Sequence, residues 1–113
     1  MGVKEKFVKD VAIVSVSGKL MGGDGTKAIH DHVKSLVADN VRKVVIDLSK
    51  VKWMNSQGIG TLMACYTTLR NCGGNLKLTG ATEKVNNLLV ITQVITIFKH
   101  YETVDRAIAA FSE

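Results

Sequence analysis

Proline is absent from this 113-residue chain, cysteine occurs only twice and aromatic residues make up only 5%. With no proline and 46% hydrophobic residues, neither a collagen-like nor a low-complexity disordered chain fits the composition. Area scaling for a chain of this length buries roughly two-thirds of the unfolded surface, so a real core forms without covalent staples. Cys65 and Cys72 lie seven apart on one expected helix, about 10 Å along its axis. That is too far for a disulfide or for joint zinc ligation, and both read as packing residues in a reducing compartment. Long apolar runs are missing as well. The uncharged stretch from Trp53 to Leu69 is broken by Asn55, Ser56, Gln57, Gly58 and Gly60, and the one from Val85 to Phe98 is too short, so no membrane span is expected. Residues Met1 to Asp10 mix Lys4, Lys6 and Lys9 with Glu5 and Asp10 and hold no apolar signal core, and a cytoplasmic location is expected. The net charge of +5 is spread over fifteen scattered basic residues. Without a basic run or stacking aromatics, nucleic acid is not an expected partner.

What is present is an alternation of strand-like and helix-like segments. Val11 to Ser17 is rich in β-branched residues and stops at Gly18, and Glu5 to Val8 pairs with it as a hairpin arm. Met21-Gly22-Gly23-Asp24-Gly25 reads as a loop. Beyond it, Ile29, Val33, Leu36 and Val37 form the stripe of an amphipathic helix capped by Asp24 or Thr26 and ended by Asn40. Val44 to Leu48 is a continuous apolar run suited to a central strand covered on both faces. A linker then leads to a helix carrying Ile59, Leu62, Met63, Tyr66 and Leu69, which Gly73-Gly74 stops. Leu76 to Leu78 reads as a strand, Val85, Leu88 and Leu89 as a third helix, Ile95 to Phe98 as a short edge strand, and Val104, Ala107, Ile108 and Phe111 as a last helix. The expected class is α/β, with a mixed, mostly parallel sheet of four to five strands, an N-terminal hairpin and about four helices in a single domain over residues 1–113.

In such sheets chemistry gathers where a strand's carboxyl end enters a helix. Here that segment is Trp53-Met54-Asn55-Ser56-Gln57-Gly58-Ile59-Gly60. Asn55 is the expected N-cap, which puts Ser56 at the first helical position with its hydroxyl outward. Gly58 and Gly60 leave the turn bare for another molecule's backbone, while Trp53 and Met54 sit beneath it in the core. A phosphate on Ser56 would add nearly two negative charges at the end of the helix that favours them. Asn-Ser before a helix is also ordinary capping chemistry, and local pattern leaves both readings open.

Other chemistries fit less well. His30 and His32 point about 200° apart on a helix and cannot chelate together; both read as solvent-facing, and His100 is isolated. Ser56 lacks a Gly-x-Ser-x-Gly elbow, so a small serine hydrolase is not expected. Gly22-Gly23-Asp24-Gly25 lacks the lysine and spacing of a phosphate-binding loop, and Gly58-x-Gly60 lacks the third glycine of a dinucleotide site. No cofactor, metal, small-molecule substrate or enzymatic activity is expected.

Three further segments carry a family resemblance over about Val11 to Phe111. They are Val45-Ile46-Asp47-Leu48-Ser49, then Val51-x-Trp53-Met54-Asn55-Ser56-Gln57-Gly58-Ile59-Gly60, then Gly73-Gly74-Asn75-Leu76-Lys77-Leu78. Together with Val85-x-x-Leu88-Leu89 and the closing Ala107-Ile108 helix, they resemble the STAS domain, and in particular the single-domain anti-sigma-factor antagonists of bacteria. The resemblance implies a STAS fold and a binding module that sequesters an anti-sigma serine kinase and so releases a sigma factor. It makes Ser56 the phosphoacceptor and Gly58 the glycine of the Asp-Ser-Ser/Ala-Gly turn. Asn55 stands where that turn has aspartate, and Gln57 where it has a small residue. It also places Gly22, Gly23, Asp24 and Thr26 beside Asn55, Gln57, Gly58 and Ile59 on the face that meets the kinase, which brings its own ATP. The departure at Asn55 keeps an alternative open: a kinase-independent scaffold, or an accessory subunit of a stress-signalling assembly or of an ABC-type lipid transporter.

Overall fold

The computed structural model describes residues 2–111. Strands β1 (Gly2–Val8) and β2 (Val11–Leu20) form an antiparallel hairpin. Its two-residue turn is possible because Lys9 adopts φ 56, the left-handed region that such turns require. Helix α1 (Gly23–Ala38), strand β3 (Lys43–Met54), helix α2 (Ser56–Asn71), strand β4 (Asn75–Thr79), helix α3 (Glu83–Ile91), strand β5 (His100–Tyr101) and helix α4 (Val104–Ala110) follow. From β2 onward every strand pairs in parallel with the next, so the sheet runs β1-β2-β3-β4-β5.

That order settles where the helices go. Crossovers between parallel strands are right-handed, and when each strand is added on the same side, all crossover helices fall on one face. Helices α1, α2 and α3 therefore share the face formed by Ala12, Val14, Val16, Val44, Ile46, Leu48, Leu76 and Leu78. The other face has only α4, which covers Val11, Ile13 and Val45 with Ala107, Val104, Ile108 and Phe111. Strand β3 is thus central and apolar on both sides, as expected.

Helix termini follow the capping residues of the sequence. Thr82 and Thr103 cap α3 and α4 through bonds from the backbone N–H of Val85 and Arg106. The Gly73-Gly74 stop closes α2 with two bonds: Gly74 N–H to the Leu69 carbonyl at 2.7 Å and Gly73 N–H to that of Arg70 at 3.2 Å. Gly73 supplies the φ of 84 that this geometry needs.

Several expectations are corrected. Strand β2 does not stop at Gly18 but continues to Leu20, with Gly18 at φ 93 beside a register shift. The supposed linker after Leu48 is strand: β3 reaches Met54 with two extra residues against β2, one between Ser15 and Ser17 and one between Gly18 and Lys19. These bulges break the alternation of two, which is why Leu48, Val51 and Met54 all point into the helix-side core at spacings of three. The third change is that Ile95 to Phe98 is no strand. Gln93 reverses the chain at φ 62, Val94–Thr96 makes one 3-10 turn, and Phe98 is buried edge-on to Tyr66 at 5.3 Å. The edge strand is instead His100–Tyr101. Finally, His30 and His32 are half-buried rather than solvent-facing, bonded to Thr68 Oγ1 at 2.9 Å and Glu5 Oε1 at 2.7 Å.

His100 is not isolated either, since its Nε2 accepts the Ala81 backbone N–H at 3.1 Å. Burial holds its pKa below the ordinary 6.5, against a smaller opposing pull from Glu102. A protonated ring could not accept that bond. The unfolded imidazole protonates first as pH falls, so stability is complete above about pH 6.5 and declines below it. His30, shifted the same way mainly by burial, adds to the decline. Urea midpoints should therefore be lower at pH 5 than at pH 7.5, and His100→Asn should shrink that difference while lowering stability at pH 7.5. A midpoint that does not change with pH would contradict the neutral, accepting His100.

Candidate functional site

Leu20 and Met54 are register partners at the carboxyl ends of β2 and β3, and both are fully buried. Their chains leave the same rim of the sheet side by side. Asn55 then joins them: its N–H donates to the Leu20 carbonyl at 3.1 Å and its Nδ2 to the Met21 carbonyl at 3.1 Å. At the other end of the same amide, Oδ1 accepts the N–H groups of Gln57 at 3.0 Å and Gly58 at 3.1 Å. Asn55 is thus the N-cap of α2, as expected, and also a clamp between two loops. An aspartate here would keep the cap and lose the donor.

Ser56 is the first residue of α2 and is exposed. Among the described residues no side chain is hydrogen-bonded to its hydroxyl, and the histidines are engaged with Thr68, Glu5 and Ala81. The hydroxyl stands at the positive end of the helix dipole, where an added anion is favoured.

Across the rim, α1 begins differently from its expectation. Its N-cap is Gly22, at φ 95, with Asp24 exposed within the first turn. Thr26 does not cap; its buried Oγ1 accepts the Gly22 N–H at 3.0 Å, reaching back from the first turn. Gln57 lies over Gly22 so closely that a Cβ there would fall 1.6 Å from Gln57 Oε1. The two loops therefore touch through Gln57 and Gly22 as well as through Asn55 and Met21. Between the helices behind them runs a groove of about 370 Å³, with Thr26, Lys27 and His30 on one wall and Gln57, Gly60 and Thr61 on the other.

The predicted residues divide by direction. Gly23, Asp24, Ser56 and Gln57 face solvent, and Gly22 and Asn55 are half-buried between them. Thr26, Gly58 and Ile59 turn inward. Gly58 does not hold space for another molecule: a Cβ there would meet the Leu20 carbonyl oxygen at 2.3 Å, so the missing side chain lets α2 seat on the end of β2. Gly60 does face open space. Met54 is buried in the core, as expected, whereas Trp53, expected beside it there, is only half-buried and lies outside both core clusters because the β3 bulge turns it away. Lys27, His30 and Thr61 were missed, although Lys27 and His30 follow the glycine loop at one helical turn's spacing. Burial pushes the Cys65 thiol up to about 12, which leaves it inert. Among the described residues no group of three or more His, Cys, Asp or Glu side chains is placed to hold a metal, and no helix is long and apolar enough to cross a membrane.

The STAS domain family model matches residues 3–107. Among solved structures, a Thermotoga maritima protein described as an anti-sigma factor antagonist superposes with a TM-score of 0.90 at 23% identity, over 98% of this chain and 95% of its own. An anti-sigma factor antagonist from Mycobacterium paratuberculosis gives 0.84 at 27% identity, over 99% and 94%. The Bacillus cell fate determinant SpoIIAA, in its phosphorylated form, gives 0.74 at 12% identity, over 97% and 99%, a likeness of fold.

The two glycines of α2 should respond oppositely to alanine. Gly58→Ala forces helix and strand apart and should cost about 1–3 kcal/mol, whereas Gly60→Ala, in open helix, should gain about 0.5–1 kcal/mol. Asn55→Ala should cost about 1–2 kcal/mol through the lost cap, with Asn55→Asp falling between it and wild type. Urea denaturation measures all four; equal effects of the two glycine variants would contradict the close seating of α2.

Proposed function

The chain belongs to the STAS domain family, and on that premise we propose that it is an anti-sigma-factor antagonist working as a phosphorylation-switched module. In this reading the whole chain acts as one STAS domain in the cytoplasm. Unphosphorylated, it sequesters an anti-sigma serine kinase and frees a sigma factor; phosphorylation of Ser56 ends the capture. The observation that carries this is Ser56 itself, an exposed hydroxyl on a capped helix start, side by side with the Gly22–Asp24 loop on one rim. The kinase brings ATP, and this chain contributes the hydroxyl and the surface formed by Gly22, Gly23, Asp24, Asn55 and Gln57.

The switch is electrostatic. Asn55 caps α2 through the backbone of Gln57 and Gly58, leaving the serine side chain outside the bonds that hold the turn. A phosphate can therefore be added without undoing the cap. Its cost falls on the complex, where a doubly charged group must be desolvated against the partner.

The kinase-independent scaffold, or accessory subunit of a stress-signalling assembly or an ABC-type lipid transporter, is favoured by Asn55 and Gln57, which depart from the expected turn. The Asn55 donor to Met21 supplies a structural reason for that asparagine, independent of any kinase.

Incubation with a cognate anti-sigma kinase and ATP, followed by intact mass, should show one added phosphate that Ser56→Ala abolishes. By titration calorimetry Ser56→Ala should bind the kinase as well as wild type, and Ser56→Asp at least about tenfold more weakly, or 1.4 kcal/mol. The melting temperature of Ser56→Asp should stay near that of wild type. Equal kinase affinities for wild type, Ser56→Asp and Asp24→Lys would favour the scaffold.

A further inference from the structure

On the other side of the Met21 loop from the Gly22–Gln57 groove lies a second hollow, of about 420 Å³, lined by Lys19, Met21, Lys52, Trp53 and Lys84. Its residues come from the ends of β2 and β3 and the first turn of α3. Lys19 and Trp53 are register partners, and the two bulges of β3 turn Lys52 and Trp53 away from the core that holds Val51 and Met54. The three lysines are exposed, and among the described residues none is within ion-pair distance of a carboxylate. At their centre the indole is half-buried and Met21 is 45% exposed.

We propose that this hollow binds an acidic segment of a partner protein, with carboxylates on the three ammonium groups and an aliphatic side chain against Trp53 and Met21. A tryptophan and a methionine ringed by cations have the make-up of an interface anchor, an apolar centre with a charged rim. Unpaired ammonium groups in a recess call for negative charge. Lys84 Nζ stands over the Trp53 ring at 5.9 Å, so one of the cations that would meet a carboxylate is held beside the apolar centre. A recess also suits a peptide better than the flat surface of a membrane. The site does not require Ser56 to be modified, and the serine switch and this docking can fail separately.

Trp53 is the only tryptophan of the chain, so its emission reports on the hollow alone. The probe is a short acetylated peptide of aspartate and glutamate carrying one leucine and no aromatic residue. It should change the Trp53 emission saturably, with an affinity that falls as salt rises. Lys52→Glu and Lys19→Glu should each weaken it roughly tenfold or more, while Lys34→Glu, the same change of charge on α1, should leave it unaltered. Circular dichroism checks that each variant is folded. No saturable change, or an equal loss in Lys34→Glu, would overturn the proposal. So would saturable binding of ATP or of phosphatidylserine vesicles where the peptide fails.

Discussion

Asn55 ties the end of β2, the Met21 loop and the start of α2 together from a single residue. Its side-chain oxygen closes the first turn of α2, its side-chain nitrogen holds the Met21 carbonyl, and its backbone N–H continues the pairing of β3 onto Leu20. Remove the oxygen and two N–H groups at the helix start lose their partner; remove the nitrogen and the Met21 loop is released from α2. Asparagine supplies the acceptor and the donor from two separate atoms of one short side chain, whereas ionised aspartate has no donor and serine has a single oxygen for both tasks. The position of Ser56 and that of the Gly22 loop are therefore set by the same residue.

Around that clamp the rim is held by close approach. Gly58 lets α2 rest on the Leu20 carbonyl, and Gln57 occupies the space that any Cβ at Gly22 would need. The first contact is helix against backbone and cannot slide; the second is made by the side-chain end of Gln57 over a glycine at φ 95. With the start of α2 seated in this way, a charge added at Ser56 changes what the rim binds without moving the helix. The bulges of β3 complete the arrangement by turning Lys52 and Trp53 outward where plain alternation would have buried one of them.

Much of this was legible in the residues. The apolar run at Val44–Leu48, the Gly73-Gly74 stop and the Asn55 cap each depend on local chemistry, and each was read correctly. The misread parts depend on distant partners. Ile95 to Phe98 has the β-branched composition of a strand, but Gln93 turns the chain so that Phe98 packs on Tyr66, a residue thirty-two positions earlier. Ser49 to Lys52 lacks alternation because its strand is bulged, and a bulge is visible only against the strand beside it. Gly58 looked like an opening because a missing side chain gives no hint of what fills its place. The hollow around Trp53 joins three segments far apart in sequence, and no spacing of lysines along the chain marks it.

The strand order repeats the chain order without exception, β1 to β5. No strand has to be inserted between two already in place, and each new one joins the exposed edge of the sheet made before it. A chain synthesised from its N-terminus can therefore build this sheet as it emerges, the β1–β2 hairpin first and one helix-and-strand unit at a time afterwards. Each added loop closes over a short stretch of sequence, which keeps the entropy of closure small. The last strand, His100–Tyr101, has only two residues. A strand of two residues offers little backbone for another to pair with, so this edge of the sheet is a poor template for a neighbour's strand.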